Sequence, residues 1–179
     1  MNLDKREYYA SIIDQYKDLA YSIALKITKN EQDSEEIVQD SFIKAFQNLN
    51  KFRNDSKFST WFYRIVFNTA ISAIRKNRIQ TIGIDKELIE KTRNVDTEDV
   101  IQNLNQHDRK HIIKKTMDKL DALDFTIITL FYYESKSLKE IALITSNDRN
   151  YLKVILQRAR GKLLNALNDS DKLELRNLL

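Results

Sequence analysis

The sequence predicts an all-α fold, and three observations support this prediction. The chain of 179 residues has no proline and only two glycines, Gly83 and Gly161, so few turns can adopt the backbone angles that β-hairpins require. Without proline, nothing interrupts long helices. Apolar side chains recur every three or four residues along several stretches, which is the spacing of one helix face. The length suits one domain of ordinary size or two small ones.

Composition excludes several kinds of protein. There is no cysteine, so neither disulfides nor thiolate chemistry are available, and this favours a reducing compartment. The first residues, "MNLDKREYYA", mix both charges and lack the apolar core of a signal peptide. The longest near-apolar run, 125–133, is too short to cross a bilayer. A cytoplasmic protein without membrane insertion is therefore expected.

Two helices are predicted before residue 50. The first covers residues 3–29, and "TKNEQD" ends it. The second is expected to begin near Asp33, because Asp33 and Glu36 have capping-box spacing and acidic residues favour the first turn of a helix. The side chains expected to face the core are Tyr9, Ile12, Ile13, Tyr16, Ala20, Ile23 and Ile27 in the first helix, and Val38, Phe42, Ala45, Phe46 and Leu49 in the second.

A third helix and a linker follow. Ser59 or Thr60 is expected to cap the helix 61–78. Residues 79–107 are charge-balanced without firm periodicity, and we interpret them as a linker between two domains. The helical pattern resumes over residues 108–120.

The last third of the chain has the pattern of a helix-turn-helix. After a helix over 124–133, Ser137 and Glu140 stand in capping-box register at the start of the next helix. A break at "SND" follows, and Asp148 can cap a last, basic helix that continues to about Leu167. Two short helices joined by a tight turn, the second of them basic, are typical of a DNA-binding module.

Charge is segregated along the chain. The net charge of +4 includes two basic blocks, +6 over residues 51–80 and +5 over 149–164, and each follows an acidic block of −3, over 1–50 and 120–148. This pattern predicts two surfaces that bind polyanions rather than a uniformly positive coat.

The first basic block has an unusual mixture of side chains, "FSTWFYRIVFNTAISAIRKNR". From Lys57 to Ile84 there is no acidic residue. On a helix, Trp61, Arg64, Asn68, Ser72 and Arg75 fall within an arc of roughly 80°, whereas Phe62, Ile65, Val66, Thr69 and Ala73 form a core stripe. An indole beside arginines suits single-stranded nucleic acid, because bases stack on aromatic rings and cations follow phosphates. The alternative is that Trp61 packs in the core while the basic residues are merely solvated.

These residues resemble a known family. "DSEEIVQDSFIKAF", the run F-x(5)-F-x-T-W-F-x-R-I-x-x-N over 52–68, and "SLKEIA … QRARGKLL" are similar to extracytoplasmic-function (ECF) sigma factors of the bacterial sigma-70 superfamily. The resemblance covers about 8–78 and 120–167. It implies a polymerase-binding and −10-melting domain over 1–80, a linker over 81–107, and a −35-reading helix-turn-helix domain over 108–179.

The resemblance also implies roles for individual residues. The amphipathic helix 34–47 matches the segment that docks on a coiled coil of core RNA polymerase, and its implied contacts are Glu35, Glu36, Gln39, Asp40 and Ile43. The loop 53–57 and Asn68 match elements that hold a flipped base of the −10 element. The implied −10 contacts are Arg53, Asn54, Asp55, Ser56, Lys57, Trp61, Arg64, Asn68, Arg75, Lys76 and Arg78.

For the −35 element, the implied recognition helix starts near Arg149. Its contacts would be Arg149, Asn150, Tyr151, Lys153, Val154, Gln157, Arg158 and Arg160, while Leu152, Leu156, Ala159 and Leu163 pack. Here the sequence departs from the family pattern. Ser146 stands where the turn usually has Gly, and Val154 and Ile155 replace a frequent Ser-Arg pair. DNA binding is thus implied, but no inherited −35 sequence.

The resulting hypothesis is a sigma factor that binds core polymerase, melts single-stranded −10 DNA and contacts double-stranded −35 DNA. It would not be an enzyme and would need no cofactor or metal. The resemblance also admits an anti-sigma factor as a partner. The alternative is a helix-turn-helix regulator that never joins polymerase and has no use for the acidic helix. We find no residues for a third hypothesis, an enzyme that acts on nucleic acid.

Overall fold

The computed structural model describes residues 3–52, 55–81 and 113–177, with side chains over 6–52, 55–76 and 113–165. Every regular element in these ranges is a helix, which confirms the predicted all-α fold. The elements are α1 (Leu3–Thr28), α2 (Glu31–Gln47), a short 3₁₀ turn (Leu49–Lys51), α3 (Phe58–Thr81), α4 (113–118), α5 (Ala122–Tyr132), α6 (Leu138–Thr145) and α7 (Arg149–Asn177). Nearly all of the predicted linker lies outside the described residues.

Helices α1, α2 and α3 pack pairwise into a first bundle. Its centre is aromatic: the rings of Phe42 and Phe62 stack with centroids 4.6 Å apart, and Phe62 is fully buried. Burying a side chain of this size stabilises the fold by about 1.5–3 kcal/mol. Of the core positions predicted before residue 50, six are buried, namely Ile12, Ala20, Ile23, Ile27, Phe42 and Ala45, and five are half-buried, namely Tyr9, Tyr16, Val38, Phe46 and Leu49. Ile13 is 38% exposed, because it lies at the edge of the stripe that α1 turns toward its neighbours.

The start of α2 differs from the prediction. Lys29 has a φ of 57°, which ends α1 in a left-handed turn. Asn30 is then extended, and its side chain accepts a hydrogen bond of 3.1 Å from the backbone N–H of Asp33. Asn30 is therefore the N-cap, and Asp33 lies inside the first turn. The prediction that the helix begins near Asp33 is wrong, because the reversal at Lys29 places the cap three residues earlier.

The start of α3 is also corrected. The helix begins at Phe58, and the carbonyl oxygen of Lys57 accepts hydrogen bonds from the backbone N–H groups of Thr60 and Trp61. Ser59 and Thr60 thus lie within the first turn, and neither caps the helix. Both side chains are buried, and their hydroxyl groups contact the C-terminal half of the chain.

Helices α5, α6 and α7 form the predicted helix-turn-helix bundle. Asp121 caps α5, one turn before the predicted start. The capping box of Ser137 and Glu140 is confirmed, and so is the cap by Asp148, whose carboxylate accepts from the N–H of Asn150 at 2.8 Å. Helix α7 continues to Asn177, beyond the predicted end. Of the helix predicted over 108–120, residues 113–118 are helical, and residues 108–112 lie outside the described ranges.

The two bundles pack on each other, with α3 against α6 and α1 against α5. At the first contact Lys136, only 4% exposed, donates a hydrogen bond to the Ser59 hydroxyl, and Thr60 donates to Glu140 at 3.2 Å. Burial lowers the pKa of Lys136, although nearby carboxylates oppose this shift. Near the second contact Lys26 donates to the carbonyl oxygen of Asp118, the last residue of α4, at 2.7 Å. Polar contacts therefore join both halves of the chain.

No helix among the described residues is both long and apolar enough to cross a membrane.

Candidate functional site

The basic and aromatic face of α3 is the first candidate surface. Trp61 is half-buried, and its ring centroid lies 5.2 Å from that of Phe52 and 5.7 Å from that of Phe58. Arg64 and Asn68 follow on the same side of the helix, and both are exposed. The indole is thus neither sealed in the core nor free in solvent: one part of it packs on protein, and the rest can stack on a base.

The remaining −10 candidates lie around this face. Ser72, Arg75 and Lys76 extend it toward the end of α3, and all three are exposed. In the preceding loop Asp55 and Lys57 are exposed and Ser56 is half-buried. The structure does not describe Arg53, Asn54 or the side chain of Arg78. The roles of all these residues stay predictions.

An aromatic platform beneath Trp61 was not predicted from the sequence. Phe58 stacks parallel to Phe62 and also contacts Tyr16 of α1, with ring centroids 5.6 Å apart. Tyr63 is completely buried beside Tyr16, and burial together with the neighbouring Glu134 raises the pKa of its hydroxyl group. The close spacing of aromatic residues over 52–63 could have indicated this platform. Its contact with α1, however, depends on how the helices pack in the bundle.

The predicted polymerase contacts form one face of α2. Glu35, Glu36, Gln39, Asp40 and Ile43 are all exposed, and Ile43 is exposed by 53% although it is apolar. None of the three carboxylates forms an ion pair with a side chain in the described ranges. An apolar side chain within an acidic, unpaired surface is typical of a docking face rather than of a merely solvated helix.

A groove of about 490 Å³ between α2 and α3 joins this acidic face to the basic one. Asp40 lines one wall, and Asn68 and Lys76 line the other. Lys44 crosses it and donates to the Thr69 hydroxyl group at 3.3 Å. The predicted polymerase and −10 surfaces are therefore adjacent, which their separation in the sequence did not reveal.

The outward face of α7 is the third candidate surface. The side chains predicted to pack are buried, except that Leu163 is half-buried. All the predicted −35 contacts lie on the exposed side, namely Arg149, Asn150, Tyr151, Lys153, Val154, Gln157, Arg158 and Arg160. The arrangement of the helix agrees with the prediction, while DNA contact by these residues stays a prediction.

Two of these arginines are held by α5. Arg158 forms an ion pair of 2.5 Å with Asp124, whose side chain is fully buried. Arg160 donates to the Tyr132 hydroxyl group at 2.6 Å, and its guanidinium group lies 5.5 Å from the centre of that ring. Lys162 also binds Asp124. Arg158 is thus paired within the bundle although its side chain is 48% exposed, and the sequence pattern could not show this pairing.

Comparison with known proteins identifies the family. Residues 12–79 match the family model described as Sigma-70 region 2. The chain is 31% identical over 173 residues to the ECF RNA polymerase sigma factor SigW of Bacillus subtilis, with 92% of this chain and 91% of that protein covered. The chain belongs to the ECF sigma factor family. This ECF sigma factor is also 33% identical over 147 residues to RNA polymerase sigma factor SigV of the same organism, with 82% and 83% covered.

A solved structure shows the same fold. The sigma factor RpoE of Bartonella quintana, crystallised with the anti-sigma factor NepR, superimposes with a TM-score of 0.68 at 22% identity, covering 90% of this ECF sigma factor and 98% of that chain. The predicted identification as an RNA polymerase sigma factor is confirmed by the family membership.

Proposed function

We propose that this ECF sigma factor starts transcription through three surfaces: α2 docks on core RNA polymerase, α3 opens the −10 element, and α7 contacts the −35 element. The observation that carries this proposal is the face of α3. There a half-buried indole, exposed arginines and Asn68 share one side of a helix, in a segment without acidic residues from 57 to 84. The division into domains 1–80, 81–107 and 108–179 is part of the proposal.

At the −10 element, the proposed task of α3 is to stabilise strands that have separated. Each base stacked on an aromatic ring contributes about 1–3 kcal/mol, and extruding a base requires a few kcal/mol. Trp61 supplies the stacking surface, held at a fixed tilt by Phe52 and Phe58. Arg64 and Arg75 follow the phosphates. The loop 53–57 with Asn68 receives the extruded base.

Docking on polymerase is assigned to the face of α2. Its exposed carboxylates favour a partner with basic side chains, because acidic and basic patches attract each other during association. Ile43 lies within the acidic patch, and burying its apolar surface against the partner would add to the affinity. Polymerase carries the covalent chemistry, so this protein acts as an initiation factor and not as an enzyme, and it works in the cytoplasm with polymerase.

Engaging both promoter elements requires the two bundles to separate. The names of the −35 and −10 promoter elements place them about 25 base pairs apart, which is about 85 Å along a duplex. A compact chain of this length has a radius of gyration of about 16 Å, and α6 covers the first turn of α3 in the packed arrangement. The packed form is therefore a form not engaged with the promoter. The sigma factor RpoE of Bartonella quintana, which shares this fold, was crystallised with an anti-sigma factor, and we assign this protein an anti-sigma partner that holds such a form.

Transcription with purified core polymerase tests the proposal. Adding this protein to core enzyme from its source organism should produce promoter-specific transcripts from genomic templates, and no stimulation on any template would contradict it. The Glu36→Lys and Asp40→Lys double variant should lose binding to core polymerase and retain binding to duplex DNA. The control variant Glu7→Lys changes an exposed acid on α1 and should retain both. Unchanged polymerase binding in the double variant would favour the regulator that never joins polymerase.

A further inference from the structure

An uncharged stripe runs along the outward face of α7 between basic edges. It carries Asn150, Val154, Gln157 and Gly161, which at roughly 100° per residue fall within about 60° of one another, and all four are exposed. A methyl group added to Gly161 would meet no atom within 4 Å, so the surface at this end of the stripe is open. The basic residues of this segment flank it as Arg149, Lys153 and Arg160 on one side and Arg158 and Lys162 on the other.

Val154 lies on this stripe and is 63% exposed. The packing of α7 on its own bundle does not need it, since Leu152, Ile155 and Leu156 are buried on the other side. When a helix enters the major groove, the side chains on its leading face come closest to the base edges. Among the four bases only thymine presents a methyl group there, and a small branched apolar side chain can pack against it.

The neighbours of Val154 are amides rather than charges. Asn150 and Gln157 lie one turn before and after it, and each can form two hydrogen bonds with the edge of an adenine. Arg158, the nearest cation along the same face, is paired with Asp124 at 2.5 Å, so a guanine partner would have to compete with a buried carboxylate. Segment 149–164 contains no acidic residue, which leaves the approach of phosphates unopposed.

We propose that α7 reads A·T pairs in the upstream promoter element, with Val154 packed against the methyl group of a thymine and the flanking amides directed to adenine. The inference rests on the function proposed above and names the base contacts of that surface. It assigns Arg158 to positioning α7 on α5 rather than to reading a base.

Replacing thymine by uracil tests this contact. Holoenzyme formed from the full chain and core polymerase is used to select upstream sequences from random duplexes. Each thymine of the selected element is then replaced singly by deoxyuridine, which removes only the methyl group. At one position, the holoenzyme should bind the deoxyuridine duplex about four-fold more weakly than the thymine duplex. This ratio of the two affinities corresponds to one buried methyl group. Val154→Ala should bring this ratio close to one. Ile13→Ala, a change of an exposed apolar residue on α1, should leave it at about four.

Three results would overturn the inference: no thymine sensitive to its methyl group, an unchanged ratio in Val154→Ala, or selection of no upstream sequence. A Val154→Ala variant that loses core polymerase with an unchanged ratio would also overturn it and would assign Val154 to a protein contact. Promoter-specific transcription by the unchanged protein is measured on the same templates. If transcription persists without a methyl effect, only this inference fails, whereas loss of transcription defeats the proposed function itself.

Discussion

At the scale of single residues, Ser146 has a backbone conformation that its side chain disfavours. It ends α6 with φ 55° and ψ 32°, in the left-handed region, where a Cβ atom crowds the backbone and glycine is usual. The sequence already showed a serine at a position where glycine is frequent in the family. In the structure the turn has left-handed geometry without glycine.

Ser146→Gly should therefore stabilise the protein by about 1 kcal/mol. The gain comes from relief of the Cβ contact and is reduced by the greater freedom of glycine in the unfolded chain. Urea unfolding followed by circular dichroism measures it. Ser146→Ala is the matched control, because it keeps the Cβ atom and should bring no gain. Equal stabilities of the glycine and alanine variants would contradict the account.

At the scale of elements, α6 depends on its capping box. The Glu140 carboxylate accepts a hydrogen bond of 2.8 Å from the Ser137 N–H and another of 3.2 Å from Thr60. The first of these contacts is the main cause that lowers the pKa of Glu140 below its ordinary value of 4.5. Since the pKa is lower in the folded state, the charged carboxylate adds stability above pH 4.5, and this stability is lost as the pH falls through the folded-state value.

Glu140→Gln should lower the free energy of unfolding by about 0.3–1 kcal/mol at neutral pH, because Gln can keep the hydrogen bond of the capping box but loses the negative charge that a helix N-terminus favours. The difference from the unchanged protein should shrink as the pH falls below 4.5, the ordinary value for this carboxyl group. Urea unfolding at a series of pH values tests this, with the exposed Glu7→Gln as control. A difference that stays constant with pH would show that the charge of Glu140 does not stabilise α6.

The elements also show which features a sequence can predict. The caps at Ser137 and Asp148 were predicted correctly, because each capping side chain accepts a hydrogen bond from an N–H group only two or three residues further along the chain. The cap of α2 was misplaced, since only the backbone reversal at Lys29 decides between Asn30 and Asp33. The pairing of Arg158 with Asp124 spans 34 residues, and no local pattern indicates it. Exposure of the three surfaces followed from helical periodicity, whereas their roles came from the family resemblance.

At the scale of the whole molecule, the contact between the bundles could not be predicted. Lys136 and Ser59 are 77 residues apart in the chain, and their segments were expected to be separated by a linker. Burying the Lys136 ammonium group has a desolvation cost, which the Ser59 hydroxyl group and the nearby carboxylates offset. Polar groups of this kind can exchange their partners for water, and we expect the interface to open when polymerase and promoter bind.

Energy transfer between two dyes would measure this opening. The chain has no cysteine, so Gln47→Cys and Asn165→Cys, both at exposed positions on different bundles, give two unique labels. Transfer should fall when core polymerase and promoter DNA are added. A control pair within the first bundle, Asp18→Cys and Gln47→Cys, should show no change. Transcription without a change in transfer between the bundles would contradict the proposed separation.

The central claim is that the face of α3 binds DNA whose strands have separated, and a Trp61→Ala variant tests it most directly. Open-complex formation on a promoter carrying 2-aminopurine in the −10 element should weaken by about 5- to 150-fold, the range expected for one lost base stack. Binding of the holoenzyme to closed duplex DNA should change by less than about two-fold, and Trp61→Phe should restore part of the loss. Equal losses in opening and duplex binding, or no loss in either, would contradict the account.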